Sequence, residues 1–122
     1  MRILVVDDDL DILTVTRYSL EKTAGVEVKT ADSGKLGLQV AKEFKPEMVL
    51  LDLIMPEMNG VEFCIEFRKI AGCETVPVIF FTASRLGEEA AQSYRKHGAL
   101  GVIHKPFDPF TLFSQIQKII QR

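Results

Sequence analysis

Short apolar runs rich in β-branched residues recur along the chain, from Ile3 to Val6, Val26 to Val28, Met48 to Leu51, Val76 to Phe81 and Val102 to Ile103. They predict five strands. Between them, apolar positions recur at helical spacing: Ile12, Val15, Thr16 and Leu20 share one face, as do Gly34, Leu38 and Ala41. Leu112, Phe113, Ile116, Ile119 and Ile120 repeat the pattern near the end. Gly25, Lys45-Pro46, Gly72 and Gly98 read as helix stops, and Asp108-Pro109 reads as an N-cap with proline at the first helical position. The order is (βα)5. Strands that are apolar throughout suit a parallel sheet covered by helices on both faces, so the expected class is a doubly wound α/β fold.

Composition narrows the reading. A chain of 122 residues that is 47% hydrophobic can bury one core, so a single domain over residues 1–122 is expected. Fifteen Lys and Arg against seventeen Asp and Glu leave a formal charge of −2 and no basic run, which argues against direct nucleic-acid binding. No apolar run approaches the ~20 residues of a membrane span. Asp7, Asp8 and Asp9 interrupt the start before a signal-peptide core can form. Cys64 and Cys73 lack metal-site spacing and read as two buried free thiols of a cytosolic protein.

Chemistry is expected at the strand ends, because open parallel sheets bind ligands outside their carboxyl edge. Asp7, Asp8 and Asp9 follow the first strand, Asp52 the third, Thr82 and Ser84 the fourth, and Lys105 the fifth. Neighbouring carboxylates repel by about 1 kcal/mol at ~4 Å in water, and by more where water is scarce. A positive partner must offset them. Oxygen ligands without His or Cys favour a hard cation such as Mg²⁺. A carboxylate beside such an ion and a lysine is poised as a nucleophile toward phosphorus, which points to phosphoryl transfer onto Asp52. Asp9, just before the first helix, reads instead as structural, an N-cap or a first-turn charge favoured by the helix dipole. His97 and His104 are expected on the surface. Phe80, Phe81, Phe107, Phe110 and Phe113 are expected in the core or anchoring helices, with Met55 and Met58 lining the loop after Asp52.

In order and at these separations, ILVVDDD, LLDLIMPEMNG, FFTAS and HKPF make the whole chain resemble the receiver domains of two-component response regulators, including the single-domain chemotaxis type. The resemblance implies a flavodoxin-like sheet of order 2-1-3-4-5. It implies that Asp52 accepts a phosphoryl group from a histidine kinase or histidine phosphotransfer protein. Asp8 would bind Mg²⁺ directly and Asp7 mainly through water, with Asp52 and the backbone carbonyl of Ile54 completing the metal site. Lys105 would hold a phosphoryl oxygen, and its bond to Pro106 would be cis. Thr82 would swing toward the phosphoryl group and switch the surface of the fourth helix, fifth strand and fifth helix. That surface would be read by a downstream effector protein or a missing output domain. The domain would act in the cytoplasm as a phosphoacceptor that takes part in its own phosphorylation and dephosphorylation, and not as an enzyme in its own right.

The chain departs from the family at Val102, where a Tyr or Phe usually stands three residues before the lysine; Ile54 and Ser84 occupy positions that tune phosphoryl lifetime. The rival reading is a haloacid-dehalogenase-like phosphatase with Asp7 as nucleophile and Asp9 as acid/base. Only Asp108 follows Lys105 where that family needs an acidic pair, and little length remains for a cap. A flavodoxin-like cofactor binder would need donors after the first strand, where this chain has carboxylates.

Overall fold

A computed structural model describes residues 1–82, 95 and 98–121. Strands β1 (Arg2–Val6), β2 (Glu27–Ala31), β3 (Met48–Asp52), β4 (Val78–Thr82) and β5 (Ala99–His104) form one parallel sheet. Their order is β2-β1-β3-β4-β5, the doubly wound arrangement expected. Four helices lie among the described residues: α1 (Leu10–Glu21), α2 (Gly34–Phe44), α3 (Gly60–Phe67) and a last helix, Leu112–Ile120. The helix expected between the fourth and fifth strands lies outside the described residues, as do Ser84 and His97.

Successive strand residues point to opposite faces, and both faces are covered. Leu4, Val6, Val49, Leu51, Val78 and Phe80 face one layer, where Ala41 of α2 and Phe63 and Phe67 of α3 pack. Ile3, Val5, Met48, Leu50, Ile79 and Phe81 face the other, against Leu13 and Leu20 of α1 and Leu112 and Ile116 of the last helix. Gly37 lets α2 approach closely, since a Cβ there would stand 2.9 Å from Val6 Cγ2 and 3.0 Å from Phe63. Lys45, in left-handed conformation at φ 52°, ends α2 just before Pro46. Cys64 and Cys73 are buried and unpaired, and burial pushes the Cys64 thiol up to about 11. No described helix is long and apolar enough to cross a membrane.

Four local expectations are corrected. β2 runs to Ala31, beyond the apolar run, because it is an edge strand whose exposed Lys29 and half-buried Thr30 interrupt the hydrophobic pattern without ending the ladder. Val15 is exposed, because α1 packs through the arc of Leu13, Thr16 and Leu20 and Val15 lies about 100° round from Thr16. The last helix starts at Leu112 and not at Pro109. Asp108 Oδ1 accepts the Phe110 N–H at 2.9 Å and its carbonyl accepts the Thr111 N–H at 3.1 Å, so Asp108-Pro109 forms a turn one step ahead of the helix. That turn leaves Phe110 88% exposed, where a core or helix-anchoring ring is expected.

Candidate functional site

The register pairs Val6 of β1 with Leu51 of β3, so the next residues, Asp7 and Asp52, emerge side by side at the carboxyl edge of the two strands. Asp52 in turn pairs with Phe81 of β4, and Thr82 ends that strand one residue further on. The β1 turn is held by its own acids. Asp7 donates its N–H to Ala31 O at 3.1 Å, while Asp7 Oδ1 accepts the Asp9 N–H at 2.9 Å. Asp9 caps α1, its carboxylate accepting from the N–H groups of Asp11 and Ile12, as expected from its place before the helix.

Lys105 follows directly on the edge strand β5, yet its side chain reaches the acids beyond β1 and β3. Its N–H donates to Thr82 O at 2.8 Å, and its bond to Pro106 is cis. The ammonium lies 2.5 Å from Asp7 Oδ2 and 3.7 Å from Asp52 Oδ2, with the Phe81 ring centroid at 5.8 Å. Asp7 is fully buried, Asp52 and Thr82 are buried, and Asp8 is exposed. The structure therefore brings Asp7, Asp8, Asp52 and Lys105 together and sets Thr82 at the neighbouring strand end. Ile54 donates its N–H to Asp52 Oδ1 at 3.4 Å and turns its side chain to solvent.

Charge is crowded here. Burial pushes the Asp52 carboxyl up from 3.8 to about 7. The Asp7 charge and a hydrogen bond with the Asp8 side chain push the same way, against the pull of Lys105 and the Ile54 N–H. Ligand oxygens of Asp7, Asp8 and Asp52 lie within 4.8 Å of one another. Asp7 Oδ2 is enclosed and meets the Lys105 ammonium as a close ion pair. An all-oxygen set of three converging carboxylates, only partly offset by one lysine, fits a hard divalent cation. Asp9, which a dehalogenase-type phosphatase would need as acid/base, is outside this set and engaged at the helix cap.

Sequence reasoning assigned the repulsion among the aspartates to a metal alone and missed the ion pair of Lys105 with Asp7. It also passed over Ser19, a buried hydroxyl on α1 that donates to Pro109 O in the segment after Lys105. The available signal was a serine at the end of the apolar helical stripe, i+3 from Thr16.

A family model described as the response regulator receiver domain matches residues 3–117. The uncharacterized transcriptional regulatory protein YclJ of Bacillus subtilis is 33% identical over the whole chain, which covers 52% of that protein. An uncharacterized 14.6 kDa protein of Leptolyngbya boryana is 35% identical, with 97% of this chain and 88% of that one aligned. The structure of chemotaxis protein CheY4 of Vibrio cholerae superposes with a TM-score of 0.88, at 31% identity and 97% coverage of both chains. The chain spans about half the length of curated relatives such as YclJ and the PhoP regulator of Bacillus subtilis.

Proposed function

The chain belongs to the response regulator receiver domain family of two-component signalling, and from that premise we propose that Asp52 is its phosphoacceptor. The observation that carries this reading is the position of Asp52: at a central strand end, beside two more carboxylates and 3.7 Å from the Lys105 ammonium. The donor is a phosphohistidine on a histidine kinase or phosphotransfer protein. An Asp52 carboxylate oxygen attacks phosphorus, the P–N bond breaks, and the imidazole leaves to be protonated on the donor side.

Each neighbour has a task in that step. Asp7, Asp8, Asp52 and the Ile54 carbonyl hold Mg²⁺, which when bound supplies positive charge to the phosphoryl oxygens. Lys105 moves from Asp7 toward the oxygens arriving on Asp52, and Thr82 adds a hydroxyl donor from β4. Burial of Asp52 keeps water from the carboxylate and strengthens each of these contacts.

Lys105 and Thr82 are the strand-end residues whose rearrangement carries the state outward to β5 and its neighbouring helices. Val102, half-buried and packed on the α2/α3 side of the sheet, offers no aromatic ring to move there. An effector protein, or an output domain joined to this one, reads the change. The domain acts in the cytoplasm, where kinases are charged from ATP, and turns over no other substrate. Incubation with acetyl phosphate and Mg²⁺ tests the reading. One phosphoryl group should add to the wild type, none in chelator and none to Asp52→Asn; equal uptake by Asp52→Asn would overturn it.

A further inference from the structure

Lys105 is placed by the segment that follows it, and that segment has no strand or helix ladder of its own until Leu112. Among the described residues, contacts at several points along it tie it down. The Lys105 N–H holds Thr82 O, and the Phe107 ring stacks on Phe81 with centroids 4.9 Å apart. The Ser19 hydroxyl donates to Pro109 O, and Phe110 rests exposed at 5.4 Å from the Lys22 ammonium. The ring contact is apolar and tolerates sliding, and the Phe110 contact is open to water. The bond from Ser19 is directional and part-buried, joining residues 90 positions apart.

Ser19 stands on a rigid body that also carries the acids. α1 starts at its Asp9 cap, immediately after Asp7 and Asp8, and Ser19 lies ten residues, about 15 Å, further along the axis. One helix therefore follows directly on the aspartates at its start and holds the lysine segment near its end. The last helix is held from Leu112 onward, three residues beyond Pro109, by the buried Leu112 and Ile116, so Ser19 acts on the stretch between the lysine and that anchor.

We propose that Ser19 is a positioning residue for Lys105: by holding Pro109 against α1, it sets the reach of the ammonium onto Asp7 and Asp52. This rests on the reading of Asp52 as phosphoacceptor. Displacement of a charge-stabilising group by a fraction of an ångström to an ångström costs rate steeply. A hydroxyl acting only as a fold brace would lower stability and leave the lysine where it is.

A double-mutant cycle separates the two. With acetyl phosphate and saturating Mg²⁺, Ser19→Ala should slow phosphoryl uptake about fivefold, the factor expected for one net hydrogen bond. In a Lys105→Ala background it should cause no further loss, since no ammonium remains to be positioned. In Mg²⁺-free protein at fixed pH, Ser19→Ala should also shift the Lys105 side-chain NMR resonances, with Ser19→Cys falling between Ala and wild type. The same fractional loss in both backgrounds, or unmoved Lys105 resonances, would overturn the proposal. Should the wild type take up no phosphoryl group, the reading of Asp52 falls, while the Lys105 resonances still decide the role of Ser19.

Discussion

Lys105 pairs with Asp7 more closely than with Asp52, at 2.5 Å against 3.7 Å. The cation in this structure therefore offsets the fully buried acid first, and Asp52 is left with only part of its field. Removing the Asp7 charge takes away one cause that raises the Asp52 carboxyl and frees the ammonium that lowers it. Asp7→Asn should bring the Asp52 titration down from about 7, with burial still holding it above the ordinary 3.8, measured by carboxyl-carbon NMR. A value that stays near 7 would show that burial alone sets it.

The same shift makes stability depend on pH. Unfolded, the Asp52 carboxyl titrates near 3.8; folded, near 7, so between these values the folded state holds the extra proton. Its contribution is fully present below 3.8 and is lost as pH rises through 7. Urea midpoints of Mg²⁺-free wild type, referred to those of Asp52→Asn, should fall across this window. A difference that is flat or rises with pH contradicts the crowded-carboxylate account.

A divalent ion that binds only the folded site should restore what repulsion removes. At free Mg²⁺ about 100 times Kd the gain is about 2.7 kcal/mol, several degrees in midpoint for a domain of this size. Asp8→Asn removes an exposed charge and a ligand oxygen, so in chelator it should melt above wild type and respond little to Mg²⁺. Melting curves of both proteins with and without Mg²⁺ check this. A wild-type midpoint indifferent to tens of millimolar Mg²⁺ would remove the metal site.

The parallel sheet and its chemical edge were legible because both are local patterns. Uniformly apolar runs mark strands buried on two faces, and Asp7, Asp52, Thr82 and Lys105 each stand where such a run stops. What stayed hidden depends on partners distant in sequence. Nothing near Lys105 announces that a lysine just past the edge strand reaches back to Asp7, and nothing near Asp108 announces that Pro109 is held by Ser19. Residue type also misleads where geometry decides exposure: Val15 and Phe110 are as apolar as Leu13 and Phe107, but the helix arc and the Asp108 turn carry them outward.

The loop behind Asp52 is packed too tightly for a side chain at Gly60. A Cβ there would meet Asp52 O at 3.0 Å and Leu53 Cα at 3.1 Å, backbone that cannot yield without moving the acceptor. Gly60→Ala should cost about 1–3 kcal/mol in urea unfolding and slow phosphoryl uptake at the same time. Unchanged uptake in a destabilised variant would mean that the loop relaxes without disturbing Asp52.

The most direct test of the acceptor is to mark it chemically. An acyl phosphate is reduced by borohydride to the alcohol, which converts a phosphorylated aspartate to homoserine, whereas a free carboxylate is inert. After phosphorylation with acetyl phosphate and Mg²⁺, reduction and peptide mass mapping should place homoserine at position 52 and leave Asp7, Asp8 and Asp9 unchanged. Homoserine at Asp7, or none in protein that has taken up phosphate, would contradict the assignment of Asp52 as the residue that accepts the phosphoryl group.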